Sequence, residues 1–271
     1  MTLLTEDLAL ALRAADVADG LSLPGFQRRG FTVERKADKS EVTELDRNTE
    51  SAVSDVLRNE RPDYSLYGEE HGVVGPTDAA FQWVIDPIDG TSNFVRGVPV
   101  WATLIALVHE GEPVLGVVSA PALGMRWWAA RGFGAHHVIG GIPGTQNTAV
   151  QPLRVSDVSE LRRASASITV TESWHAANKT QQLDSLQRNV GRLRNYGDFW
   201  QHMLVAQGAV DFAIDAIGLG PYDIAAIAAI VTEAGGTWTN RHGDGEWRSD
   251  SLITSNGRLH GAVLGALGSD R

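Results

Sequence analysis

In the stretch Trp83-Val84-Ile85-Asp86-Pro87-Ile88-Asp89-Gly90-Thr91, a short apolar run of β character delivers two carboxylates three residues apart and then stops at glycine. Pro87 removes a backbone donor and fixes its own φ, while Gly90 lets the chain turn so that main-chain N–H groups can face an anion. Carboxylates and a hydroxyl at the end of a strand suit a hard cation with a phosphate beside it. The same residues also make an acidic turn capped by Thr91. An aspartyl-phosphate nucleophile of the Asp-x-Asp type is excluded, because Pro87 and Ile88 put one residue too many between the acids.

Three further stretches carry acids in suggestive positions. Gly68-Glu69-Glu70-His71-Gly72 follows a β-like run at 64–67 and reads equally as a polar loop. Val42-Thr43-Glu44-Leu45-Asp46 reads equally as the capped start of a helix with an acid in its first turn. Pro221-Tyr222-Asp223-Ile224-Ala225-Ala226 places Asp223 at the start of a helix whose apolar face is Ile224, Ile227, Ala228 and Val231.

The elements that must position these residues follow from hydrophobic period and turn residues. Leu4, Leu8, Leu12 and Ala15 recur at helical spacing, with Thr5 as N-cap and Glu6 and Asp7 in the first turn, and residues 42–59 predict a second helix. Residues 83–85, 101–108, 114–120, 126–130 and 135–139 predict strands, the second and third joined as a hairpin by Glu110-Gly111-Glu112-Pro113. The Gly-rich break at 140–145 ends this half. Beyond it, strands at 166–170, 192–196 and 210–215 alternate with helices at 180–189, 199–207 and 224–234, which argues for a layered α/β second half. The two halves differ in pattern, so there is no internal repeat, and nothing is low-complexity.

Composition narrows the class. The 271 residues are 43% hydrophobic and 21% charged, which predicts a substantial core in one large domain or two intimate subdomains. The net charge of −10 argues against a nucleic-acid partner, whose phosphates would be repelled, but is compatible with gathering divalent cations. The absence of cysteine excludes disulfides, thiolate metal sites and cysteine nucleophiles. Glu6, Asp7, Arg13 and Asp16 interrupt the N-terminal apolar run, and no segment reaches the ~20 apolar residues of a membrane span, so a cytoplasmic protein with no membrane partner is expected.

Taken together, the four acidic stretches make the chain resemble the inositol monophosphatase family of Mg²⁺-dependent phosphomonoesterases over essentially its whole length. The core match is Asp86-Pro87-Ile88-Asp89-Gly90-Thr91-Ser92-Asn93-Phe94, then Asp223-Ile224-Ala225-Ala226 and Val231-Thr232-Glu233-Ala234-Gly235-Gly236. Gly68-Glu69-Glu70 supports it, as does Lys36-Ala37-Asp38 leading into Val42-Thr43 and Asp46. Glu41 stands where the family often has proline, and Tyr222 where it usually has tryptophan.

The resemblance implies a site. Glu69, Asp86 and the main-chain carbonyl of Ile88 would hold one Mg²⁺, and Asp86, Asp89 and Asp223 a second, with two or three ions per site and Mn²⁺ as a substitute. Oxygen-only ligands fit such cations and disfavour zinc. Two cations clamp the attacking and leaving oxygens and make a water easier to deprotonate. Thr91 and Asp46 would form the dyad that deprotonates this water, with Glu69 assisting, while Asp89, Gly90 and Thr91 face the phosphate. Inhibition by Li⁺ is a further implication. So is a five-layered α-β-α-β-α sandwich of the α/β (α+β) class, with a large mostly antiparallel sheet in residues 1–145 and a smaller sheet in 146–271 that supplies Asp223 across the seam.

The stretch Arg194-Asn195-Tyr196-Gly197-Asp198-Phe199-Trp200-Gln201-His202 resembles the histidinol-phosphate phosphatase branch of that family, which acts in histidine biosynthesis. Asp198 and Asp215 could pair with an ammonium, Trp200 or His202 could pack on an imidazole, and Arg194 could border the pocket. Each also has an ordinary reading: Asp198 as an N-cap, Trp200 as core, His202 as a packed side chain and Arg194 as a surface group. Histidinol phosphate is thus the expected substrate. Inositol 1-phosphate, another sugar phosphate or a 3′-phosphonucleotide is the alternative. A non-catalytic relative predicts a missing ligand, and none is missing. A homodimer is expected, with Trp101, Trp127 and Trp128 assigned either to its interface or to the core.

Overall fold

The computed structural model describes residues 2–36, 40–140 and 149–268. Ala37 and Asp38, part of the family resemblance, and residues 141–145 of the Gly-rich break lie outside the described residues.

Helix α1 (Thr2–Arg28) buries Leu10, Ala11, Ala14, Ala15 and Ala18. It begins ahead of Thr5, which therefore lies within the helix and does not cap it, and the first turn holds no acid. Strands β1 (Val33–Arg35) and β2 (Glu41–Thr43) pair antiparallel, so Val42 and Thr43 are strand and not helix. Helix α2 (Glu44–Glu60) starts two residues later than expected because Thr43 caps it: the Thr43 hydroxyl accepts the Leu45 N–H at 3.1 Å and Asp46 Oδ2 accepts the Thr43 N–H at 2.8 Å.

The large sheet comprises β3 (Ser65–Gly68), β4 (Gly72–Val74), β5 (Phe81–Asp89), β6 (Ala102–His109), β7 (Glu112–Ala120), β8 (Met125–Ala130), β9 (Gly134–Ile139) and β10 (Gln151–Pro152). Its order is β10-β9-β8-β7-β6-β5-β3-β4, antiparallel except where β3 lies parallel to β5. The β6–β7 hairpin turns through Glu110 at φ 51° and Gly111 at φ 83°, both left-handed as the twist of paired strands favours. β10 joins this sheet from beyond the break, so the large sheet extends to residue 152.

Short helix α3 (Thr91–Arg96) follows β5. The second sheet comprises β11 (Ser165–Ile168), β12 (Arg192–Arg194), β13 (Phe212–Ile214), β14 (Thr237–Thr239) and β15 (Ile253–Ser255), ordered β12-β11-β13-β15-β14, with β11 parallel to β12 and β13. The helices of this half of the chain are α4 (Glu172–Ala176), α5 (Thr180–Asn189), α6 (Asp198–Ala206), α7 (Pro221–Glu233) and α8 (His260–Leu267).

Alternation along the strands builds the layers. In β5, Trp83 and Ile85 face α1 and α2, while Val84 faces α6 and α7. The second sheet lies on the far side of α6, and α5 and α8 close its other face through Leu183, Leu186, Val263 and Leu267. The order is α-β-α-β-α. Trp101, Trp127 and Trp128 all belong to this interior: Trp101 packs on Phe26 and Phe94, Trp127 on Phe199, and Trp128 against the α1 side. Gly116 of β7 admits α7 closely, since a Cβ there would lie 2.3 Å from the Ala226 carbonyl oxygen.

Candidate active site

β5 leaves its ladder with β6 between Asp86 and Asp89, where Pro87 and Ile88 form an irregularity and the Pro87 carbonyl accepts the Thr103 hydroxyl at 2.8 Å. This break turns both acids of the stretch to the same region. Asp86 Oδ1 accepts the Ile88 N–H at 3.0 Å, and Asp89 Oδ2 accepts the Phe199 N–H at 2.8 Å from α6. Asp223, in the first turn of α7, accepts the Gly220 N–H at 2.6 Å. Carboxylate oxygens of Asp86, Asp89 and Asp223 all lie within 4.8 Å of one another.

Three carboxylates so close and so buried resist ionising together. Burial raises Asp86 well above the ordinary range, and the charges of Glu69, Asp223 and Asp89 add to it. Asp89 is raised by burial and by Asp198 and Asp223. Asp223 is pushed up to about 6, chiefly by burial. An all-oxygen donor set under mutual repulsion is the environment a hard divalent cation relieves, so the residues present fit such an ion.

Glu69 follows β3 in a turn, and its carboxylate is pushed up to about 7 by burial against the pull of Lys36. Lys36 Nζ lies 2.7 Å from Glu69 Oε1 and 2.5 Å from Glu70 Oε1. Gly90, at φ 82°, caps α3, a conformation that suits glycine. The Thr91 hydroxyl stands 3.1 Å from Asp46 Oδ1 and 2.9 Å from the Ile88 carbonyl oxygen. Asp46 is fully buried, which raises its proton affinity.

Beside the acid cluster, a cavity of about 340 Å³ is bordered by Asp89, Asp198, Asp215, Asp223, Thr169 and Thr171. A larger cavity of about 840 Å³, along β9 and the end of α7, contains none of these acids. Asp198 is the first residue of α6, with Gly197 as its N-cap, so the capping role open to Asp198 falls to glycine. It is held at φ 47°, a left-handed conformation that Asp tolerates better than most residues, and its Oδ2 accepts Asn93 Nδ2 at 2.6 Å. Burial and the charge of Asp215 push Asp198 up to about 6.

The other residues of that stretch stand elsewhere. His202 is fully buried behind Asp215, with Nε2 3.0 Å from Asp215 Oδ2 and Nδ1 2.8 Å from the Thr254 hydroxyl, so it reaches the cavity only through Asp215. Trp200 packs edge-on to Tyr196 at 5.6 Å and against the middle core, and it does not border the cavity. Arg194 is exposed at the end of β12, its guanidinium 2.6 Å from the Leu193 carbonyl, also away from the cavity. The structure thus gives these three side chains their ordinary placements: Trp200 packed on the middle core, His202 buried behind Asp215, and Arg194 at the surface where its short strand ends.

Sequence reasoning passed over Asn93, Thr169, Thr171 and Glu50. Asn93 lay within the quoted core match, four residues after Asp89 on the turn that follows it. Glu50 carried a signal in its spacing from Asp46, one helical turn away on the buried face of α2.

Comparison with known proteins shows the family. The sequence profile described as the inositol monophosphatase family matches residues 3–269. The chain is 45% identical over 266 residues to a histidinol-phosphatase of Streptomyces coelicolor, covering 97% of each chain. It is 44% identical over 259 residues to a histidinol-phosphatase of Mycobacterium tuberculosis, covering 96% of each. Among solved structures, the extragenic suppressor protein suhB of Bartonella henselae superposes with a TM-score of 0.85 at 25% identity, over 98% of this chain and 100% of that one. The protein belongs to the inositol monophosphatase family, whose enzymes are metal-dependent phosphomonoesterases. Among the described residues, Asp86, Asp89 and Asp223 form a group of acids that could hold a metal ion.

Proposed function

We propose that the protein is a Mg²⁺-dependent phosphomonoesterase that hydrolyses L-histidinol phosphate to L-histidinol and phosphate, a step of histidine biosynthesis. The observation that carries the substrate is the pair Asp198 and Asp215 on the cavity beside the acid cluster. A neutral polyol could only donate hydroxyl hydrogen bonds to these two carboxylates, whereas an amino alcohol bearing an ammonium and an imidazole also pairs its charge with them. The two relatives at 44–45% identity over nearly their full length are named for this activity.

Asp86, Asp89 and Asp223, with Glu69 and the Ile88 carbonyl adjoining, would hold the cations. When bound, Mg²⁺ supplies positive charge that neutralises these acids and polarises the ester and a water. The Thr91 hydroxyl, within reach of Asp46, takes the proton of the attacking water as its own passes to Asp46, whose buried carboxyl has raised proton affinity. The N–H groups of Gly90, the N-cap of α3, and of Thr91, its first residue, would hold phosphate oxygens. Asp198 and Asp215 orient the leaving alcohol through its ammonium.

The test is phosphate release from histidinol phosphate and, in parallel, from inositol 1-phosphate, with Mg²⁺, with EDTA, and with Asp86→Asn as control. Mg²⁺-dependent turnover of histidinol phosphate, lost in EDTA and in the variant, supports the reading. Turnover of the inositol ester alone keeps the chemistry and overturns the substrate.

A further inference from the structure

Asp46 and Glu50 are both fully buried on one face of α2, together with Val53 and Leu57. Asp46 turns to Thr91. Glu50 turns to the loop between β3 and β4, where its Oε2 accepts the Glu70 N–H at 2.7 Å and its Oε1 accepts the His71 N–H at 2.9 Å. His71 Nδ1 lies 2.9 Å from the same Oε1. A buried carboxylate is costly unless it is fully hydrogen-bonded, and these contacts all go to residues directly following Glu69.

Gly68, directly before Glu69, completes the arrangement. A Cβ at that position would lie 2.0 Å from Glu50 Oε1, so the carboxylate occupies the space that any other residue would need. Glu50 thus grips the loop on both sides of Glu69 without reaching the cavity.

We propose that Glu50 is a positioning residue: by pinning the main chain of residues 68–71 to α2, it fixes the aim of the Glu69 carboxylate at the acid cluster. Because the same helix carries Asp46, one rigid element sets both the proton acceptor and the cation ligand. The inference rests on the reading that Glu69 and the cluster hold divalent cations. Residues that orient a ligand without touching the metal commonly cost ~10–100-fold in metal affinity when changed.

The experiment titrates Mg²⁺ into the full-length protein in the absence of substrate and follows the thermal midpoint, then repeats the titration by phosphate release. The variants are Glu50→Gln, which keeps the shape but turns an amide donor toward N–H groups, and Gly68→Ala, which displaces the carboxylate from the other side. Glu60→Gln, at the far end of α2, is the control.

Expected is a rise of ~10-fold or more in the Mg²⁺ concentration giving half the thermal shift, matched in half-activation. At saturating Mg²⁺ the KM for the ester should stay within about twofold of the unmodified protein, and the control should be unchanged. Wild-type Mg²⁺ midpoints in either foldable variant, even with a lowered melting temperature, overturn the inference and leave Glu50 a packing residue. Absence of any Mg²⁺-induced shift in the unmodified protein overturns the metal reading, and this inference with it. Should Glu50→Gln fail to fold, Gly68→Ala carries the decision.

Discussion

The imidazole of His202 joins Asp215 to Thr254 across the middle of the molecule, 3.0 Å from the carboxylate on one side and 2.8 Å from the hydroxyl on the other. A carboxylate held at a fixed angle recognises an ammonium better than one free to rotate, since less ordering is left to the moment of binding. Asp215→Asn is therefore expected to raise KM for histidinol phosphate by ~10-fold or more, and His202→Asn by less. The measurement is kcat and KM for histidinol phosphate beside a phosphate ester of an uncharged alcohol, such as glycerol 2-phosphate. Equal effects on both esters would remove the ammonium from the argument.

Asp86→Asn should separate activity from stability. The side chain is buried beside Asp89 and Asp223, so removing its charge relieves repulsion in the cation-free protein. Phosphate release should fall by at least ~100-fold, while the melting temperature in EDTA should rise. In the unmodified protein, Mg²⁺ at 100 times its dissociation constant should add about 2.7 kcal/mol for each site it fills. A melting temperature in EDTA that drops in the variant would contradict the repulsion.

The Thr91 hydroxyl, 3.1 Å from Asp46, predicts a defect in the chemical step. Thr91→Val should lower kcat by about 10²–10⁴ with little change in KM, and Thr91→Ser should recover most of it. A loss shared by Val and Ser, or one confined to KM, would assign Thr91 a steric role.

His260 offers a test of acid stability away from the site. Burial depresses it to about 4 from an unfolded value of 6.5, and its two nitrogens meet the Thr239 and Ser255 hydroxyls at 2.9 Å. Between these values the unfolded chain binds a proton that the folded chain does not. Stability should therefore fall as pH drops from about 6.5 to about 4, by up to roughly 3 kcal/mol, and this contribution should level off below pH 4. Denaturant unfolding of His260→Gln across that window should show a shallower slope than the unmodified protein.

Much of the molecule is readable in its residues, and the exceptions share a cause. Helix α5 is found at Thr180–Asn189 as its period predicts, and the hairpin at Glu110-Gly111 follows from turn chemistry, because both signals are local. The acids Asp86, Asp89 and Asp223 could be picked out by their motifs, although their convergence is a matter of packing. His202 and Trp200 kept two readings, pocket and core, because which side of a short helix faces a cavity depends on what covers the other side. Here that is the core between the sheets, and it takes both rings. Val42 and Thr43 went to a helix because β2 exists only through its pairing with β1, an interaction no window around those residues contains.

Gly116 and α7 bear on how the chain comes to be active. Asp86 and Asp89 arrive on β5, but Asp223 joins them only when α7 has settled on the large sheet, at a separation that the missing Cβ of Gly116 allows. A chain with both sheets formed and α7 still undocked would match the finished protein in far-ultraviolet dichroism and bind no divalent cation at the seam. Recovery of turnover during refolding therefore requires α7 to be docked, and Gly116→Ala, whose Cβ would meet the Ala226 carbonyl, should lower the activity recovered more than it changes the far-ultraviolet signal.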